Sequence, residues 1–242
     1  MITRTEFADI LKLLKQKITL INLDYYGDLI HKLWHERVVK SEPALSETEF
    51  PVKAAAQLVV EVISNRENHV LSSIQAEELV QQYLAQQSIH VYWQQTGIVP
   101  EHGDMYIHLS CKIAVEKLAD LVTGIISLEN WDKNVCPVCG DVPGFGCYDK
   151  PEGKRLLVCG ACLTKWRYKR IGCAFCQEEE PKQLKVATAD EFPGWIAAVC
   201  QTCNGYLKTA DLRMLASEPN WYEAVMETLP LDYALTRDSK SM

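Results

Sequence analysis

Apolar residues recur at intervals of three and four through the first 130 residues, and the rhythm then stops. Phe7, Ile10, Leu14 and Ile18 share one helical face; Tyr26, Ile30, Leu33 and Trp34 share a second, and Val52, Ala56, Val59 and Ile63 a third. Thr48 is expected to cap the third helix, which leaves Pro51 in the first turn, where proline is tolerated. In SSIQAEELVQQYLAQQ, Ser72 and Gln75 have capping-box spacing ahead of Leu79, Val80, Tyr83 and Leu84. TGIVPEHGD (96–104) reads as a loop from its glycines and proline. A last helix carries Ile113, Leu118, Leu121, Val122 and Ile125, and SLENWDKNV (127–135) reads as a joint.

Beyond the joint the pattern changes to short β-like runs punctuated by Gly and Pro. Nine of the ten cysteines lie there, eight of them as C-x-x-C pairs: Cys136/Cys139, Cys159/Cys162, Cys173/Cys176 and Cys200/Cys203. Such a turn points two sulfurs at one centre, and two turns complete a tetrahedral four-thiolate shell. The lengths between pairs are 19, 10 and 23 residues. Nineteen or 23 residues can run out and return as a hairpin. The ten residues LTKWRYKRIG alternate Trp166, Tyr168 and Arg170 with Lys165, Arg167 and Lys169, the period of one extended strand. At ~3.3 Å per residue a strand carries the chain roughly 25–30 Å away, not back to the same metal. The expected sites are therefore Cys136, Cys139, Cys159 and Cys162, and Cys173, Cys176, Cys200 and Cys203. Each would hold one metal ion, and thiolates accept iron or zinc alike.

The fold class expected is α+β: an N-terminal helical domain (1–130), two tandem rubredoxin-like or zinc-ribbon four-cysteine modules (131–171 and 172–215), and a C-terminal helical tail (216–242). Composition narrows the function. The chain of 242 residues carries a formal charge of −7, which argues against a protein built to bind the nucleic-acid backbone. The basic run Lys165–Arg170 is followed almost at once by QEEEP (177–181). No apolar run approaches the ~18 residues of a membrane span, and MITRTEFADILKLLKQK has no uninterrupted signal-like core. The expectation is a cytoplasmic protein, whose reduced thiols bind metal in preference to forming disulfides. No P-loop, G-x-S-x-G or open metal–water motif is found, so no enzymatic activity is expected. His31 and His35 sit four apart on a helix without a third ligand, and Cys111 and Cys147 are expected to be core thiols.

CPVCGDVPG (136–144), RLLVCGACLTKW (155–166), KRIGCAFC (169–176) and AAVCQTCNGYLKTAD (197–211) together resemble the formate dehydrogenase accessory proteins of the FdhE type. Trp166, Arg170, Tyr206, Leu207 and Lys208 fall on positions of that pattern. The tail, WYEAVMETLPLDYALTRDSKSM, departs from the family's acidic ending. The resemblance implies a cytoplasmic, non-catalytic assembly factor that binds the catalytic subunit of a formate dehydrogenase, a molybdenum or tungsten enzyme, with iron at rubredoxin-like sites. It implies Trp166, Arg170, Tyr206 and Lys208 as partner-binding residues and is compatible with a homodimer. The rivals are a rubredoxin-like electron-transfer protein and a zinc-ribbon nucleic-acid-binding protein.

Overall fold

Reciprocal caps open two of the helices in the computed structural model, which describes residues 3–21, 23, 26, 28–67 and 69–238. Thr3 Oγ1 accepts from the Glu6 N–H while the Glu6 carboxylate accepts from the Thr3 N–H, starting α1 (Arg4–Ile18). Ser72 and Gln75 repeat that exchange at α4 (Ser73–Leu84), as their spacing predicts. Between them lie α2 (Asp28–Val39) and α3 (Val52–Arg66).

Two helix starts differ from expectation, both because of proline. Thr48 does not cap α3: Glu47–Glu49 forms a 3-10 turn and the helix begins only after Pro51, with no side-chain cap. Proline disfavours helical geometry in the residue before it, here Phe50, so the helix cannot extend back to Thr48. The segment 96–104 is not all loop. α5 (His90–Thr96) ends at Gly97, at φ +75°, and α6 (Pro100–Thr123) begins with Pro100 at its first position. There proline's missing N–H would have had no partner anyway.

The chain divides into two units, Met1–Trp34 with Leu45–Ile125, and His35–Ala44 with Ile126–Met242. In the first, α3 packs against α1, α4 and α6. Leu14, Leu58, Val59, Val62, Ile63, Ile107 and Leu118 are fully buried there, each worth about 1.5–3 kcal/mol of burial.

The second unit is built on one six-stranded sheet in the order β3-β2-β1-β6-β5-β4. Its strands are β1 (Pro143–Tyr148), β2 (Arg155–Cys159), β3 (Lys165–Arg167), β4 (Leu184–Thr188), β5 (Trp195–Cys200) and β6 (Tyr206–Asp211). β1–β3 and β4–β6 are two antiparallel meanders, joined by a parallel seam in which Gly146 stands opposite Thr209. A Cβ at Gly146 would lie 2.6 Å from Thr209 Oγ1, so the seam closes only over glycine. The stretches 131–171 and 172–215, expected as separate modules, thus share one sheet.

One face of that sheet carries Phe145, Cys147, Val158, Trp195 and Ala210. Two short helices, α7 (Trp221–Glu227) and α8 (Leu229–Asp238), contribute Trp221, Ala224 and Leu231 to the same core. Trp221 stacks tilted on Phe145 and edge-on to Trp195, at centroid distances of 5.4 and 6.4 Å, an arrangement favoured by the ring quadrupoles. The segment ending at Ala44 belongs to this unit because the Ala44 N–H donates to the Pro137 carbonyl at 2.8 Å.

Candidate metal centres

Four turns of one design carry the eight paired cysteines. In each, the N–H of the first cysteine donates to the carbonyl five residues on: Cys136 to Asp141, Cys159 to Thr164, Cys173 to Glu178 and Cys200 to Gly205, all at 2.8–2.9 Å. In each, the residue after the second cysteine has positive φ: Gly140 (80°), Leu163 (59°), Gln177 (64°) and Asn204 (57°). That left-handed residue reverses the chain so that both sulfurs face inward. Glycine and asparagine adopt it readily, whereas leucine and glutamine are strained by it.

Because Cys159 ends β2 and Cys200 ends β5, each hairpin returns its second turn to the first. Cys136, Cys139, Cys159 and Cys162 form one group and Cys173, Cys176, Cys200 and Cys203 the other, with the sulfurs of each within 4.8 Å of one another. The ten residues between Cys162 and Cys173 separate the groups, although only Lys165–Arg167 is strand. Sulfur–sulfur distances include 3.6 Å for Cys136–Cys162, 3.4 Å for Cys139–Cys159 and 3.7 Å for Cys176–Cys200. These are far too long for disulfides, whose bond is ~2.05 Å. A tetrahedron with Zn–S of ~2.3 Å has an edge of about 3.8 Å, so both groups fit a four-thiolate ion with little adjustment.

The two groups differ in exposure. Cys136, Cys159 and Cys162 are buried and Cys139 is half-buried, while Cys176 and Cys203 of the second group are exposed. Backbone N–H donors surround the sulfurs of both groups. Cys136 accepts from the Val138 N–H, Cys159 from the N–H groups of Ala161 and Cys162, and the Thr164 hydroxyl lies 3.1 Å from Cys162 Sγ. In the second, the Phe175 N–H donates to Cys173 and the Gly205 N–H to Cys203.

The thiols of each group share charge unequally. Hydrogen bonds from Cys136, Cys139 and Cys159 hold Cys162 well below the ordinary thiol range. Burial raises Cys136, and the shared sulfur hydrogen bonds raise Cys139. In the second group burial pushes Cys200 up, but the N–H groups of Cys203 and Thr202 and the neighbouring thiols bring it down to about 7. A backbone bond at Glu178 lowers Cys176, yet desolvation and its three partner thiols raise it to about 12. In each group one sulfur, Cys162 or Cys200, is favoured as the thiolate, and four such sulfurs are the donor set a soft metal ion takes.

The remaining cysteines stand apart. Cys147 is fully buried in the aromatic core and Cys111 is buried in α6, and burial pushes each thiol up to about 12.

Of the four residues expected to meet a partner, only Arg170 is exposed. Trp166 is 2% exposed and its Nε1 donates to the Lys133 carbonyl at 3.0 Å. Lys208 is buried and pairs with Asp232 at 2.7 Å, and half-buried Tyr206 donates to the same carboxylate at 2.8 Å. Trp166 therefore packs β3, while Lys208 and Tyr206 tie α8 to β6. Alternation along a strand marks which residues share a face but not whether that face is covered.

Two residues that pattern reasoning missed brace the second group. Asn134 Nδ2 donates to the carbonyls of Ala174 and Phe175, between Cys173 and Cys176. Arg155, 7% exposed, donates from Nη1 to the carbonyls of Gly172 at 2.7 Å and Lys169 at 3.2 Å. A cation opening the otherwise apolar strand RLLVC was the available signal for Arg155; Asn134 carries none.

No family profile matches the chain. It is 39% identical over 88 residues to a protein FdhE homolog of Aquifex aeolicus, a match covering 35% of this chain and 31% of that protein. It is 36% identical over 111 residues to a protein FdhE homolog of Stutzerimonas stutzeri, covering 44% of this chain and 35% of that one. These matches span about a third of the relatives' length. The crystal structure of the FdhE protein from Pseudomonas aeruginosa superposes with a TM-score of 0.59 at 20% identity, over 98% of this chain and 93% of that one. The resemblance to the FdhE family stands, in sequence over part of the chain and in fold over nearly all of it. Among the described residues no helix is long and apolar enough to cross a membrane.

Proposed function

We propose that this FdhE-like chain is a non-catalytic accessory factor that binds the catalytic subunit of a formate dehydrogenase and promotes its activation. The observation that carries the reading is the pair of four-sulfur groups on one sheet, in the order of the motifs that resemble the FdhE type. Cys136, Cys139, Cys159 and Cys162 would hold one ion, and Cys173, Cys176, Cys200 and Cys203 the other. Four thiolates per ion leave no position for substrate or water, which suits a structural or electron-carrying centre better than a hydrolytic one. The chain's own part is to order the turns and the strands between them into a docking surface.

Tagged protein retained on resin under anaerobic conditions and exposed to native extract tests this. The expected result is recovery of a formate dehydrogenase catalytic subunit, lost when Cys136 and Cys139 are both replaced by serine. Failure of the wild-type protein to recover such a subunit would overturn the reading.

One observation favours a second reading, rubredoxin-like electron transfer: Cys176 and Cys203 are exposed, and iron there would supply a one-electron couple close to solvent. A colourless protein with two zinc ions per chain after anaerobic purification rules that reading out.

A further inference from the structure

A cleft of about 210 Å³ opens on the sheet face opposite the aromatic core, beside the second cysteine group. Its floor is apolar, formed by Leu184, Val186, Ala198 and Leu207, and Arg155 and Arg170 line it with no Asp or Glu. Among the described residues neither arginine has a carboxylate within ion-pair distance. The nearby acids are engaged elsewhere. Glu179 pairs with Lys169, Glu178 accepts from the N–H groups of Glu179 and Glu180 and from the Thr202 hydroxyl, and Glu180 accepts from the Lys182 N–H. Arg155 is a buried cation facing a cavity with no counter-anion of its own, a costly arrangement unless something else supplies one. On a chain of net charge −7, two guanidinium groups, one buried and one exposed, in one acid-free cleft are a local inversion of sign.

The adjoining thiols account for part of this. Cys173 and Cys200 also line the cleft, and a four-thiolate group around a divalent ion carries about −2. Arg155 Nη1 is committed to the Lys169 and Gly172 carbonyls beside that group. Its other donors, and the whole exposed fork of Arg170, remain.

The neighbouring strand points to the kind of ligand. β4 pairs only with β5 among the described residues, so its outer N–H and C=O groups are open, and Val186 is 66% exposed. An extended segment can add there as a further strand. Its alternate side chains would then lie on the face of Leu184 and Val186 and reach the cleft. The volume lies below the roughly 300–1,000 Å³ of small-molecule sites and suits one or two side chains.

We propose that this cleft takes an extended acidic segment of a partner protein, added along β4, with one apolar side chain on the floor and one carboxylate on Arg155 and Arg170. The site is independent of which enzyme the client is, and its failure leaves the pull-down reading untouched.

The test is an NMR titration of the zinc-loaded full chain with the peptide acetyl-TFTET-amide, whose phenylalanine and glutamate share one strand face, against acetyl-TFTQT-amide. The expected result is saturable shifts in residues 184–188 and at the Arg170 side chain with the glutamate peptide. Affinity should fall about tenfold, equivalent to ~1.4 kcal/mol, for the glutamine peptide and likewise for Arg170→Ala. Arg170 is exposed, so that variant keeps its fold, which the unliganded spectrum verifies. Equal affinity for the two peptides, shifts confined to other strands, or no saturable shift at millimolar peptide would each overturn the proposal.

Discussion

The side-chain amide of Asn134 donates to the Phe175 carbonyl at 2.9 Å. Asn134 lies two residues before the first cysteine of the first group, and Phe175 lies between two cysteines of the second. One side chain therefore links the two turns directly, beyond the sheet they share. Asn134→Ala leaves two carbonyls without their donor at a part-buried position, a loss of about 1–2 kcal/mol. The expected outcome is a lower thermal midpoint and faster release of the second ion to a chelator, with the first unaffected. Equal acceleration of both would show that Asn134 supports the whole unit and not one turn.

The exposure of Cys176 and Cys203 separates the groups kinetically. Loss of metal to a colorimetric chelator should be biphasic, with the second group emptying first, because two of its sulfurs are open to attack. Cys176→Ser is expected to leave one ion per chain and native-like circular dichroism. Cys136→Ser removes a fully buried ligand and should cost far more stability. Release from both groups at one rate would contradict the assignment of a closed and an open centre.

Metal loading should weaken as pH falls. Cys136, Cys139 and Cys176 are raised above the ordinary thiol range, so in metal-free protein they stay protonated at neutral pH and the ion must displace those protons. Lowering pH adds to the proton competition, while Cys162 and Cys200, already lowered, contribute less. Equilibrium competition between pH 8 and pH 6 should show apparent affinity falling more than about tenfold per pH unit, and a flat profile would refute the shared-charge account.

Gln177→Gly is expected to stabilise the protein. Gln177 is exposed and held at φ 64°, where a side chain costs about 1–2 kcal/mol that glycine avoids. After allowance for the greater freedom of glycine in the unfolded chain, a gain of about 1 kcal/mol remains, or ~2–4 °C in melting temperature. Leu163 has the same strain at φ 59° but also packs on the aromatic core. Leu163→Gly should therefore destabilise, and the opposite signs of the two substitutions are the check.

The cysteine pairing was legible because it follows from chain lengths alone: a hairpin returns and a short connector does not. Helices long enough to repeat their apolar face were legible too, as was the reciprocal cap at Ser72 and Gln75. α5 was not, since its seven residues bury a single side chain, Trp93, and show no period. The parallel seam of β1 and β6 was also hidden. It brings together strands some sixty residues apart, and its one local trace, Gly146, looks like any other glycine in a turn-rich segment. Partner-facing residues were the least legible, because the faces of Trp166 and Lys208 are covered by the Lys133 loop and by α8, which strand alternation cannot show.

Native mass spectrometry of the wild-type chain and two double-serine variants tests the central claim most directly. The account predicts two metal ions in the wild type, one in the variant lacking Cys136 and Cys162, and none in the variant lacking Cys162 and Cys173. If the Cys162 and Cys173 variant retains one ion while the Cys136 and Cys162 variant loses both, the neighbouring pairs share a metal. The pairing across each hairpin, on which the proposed function rests, would then be wrong.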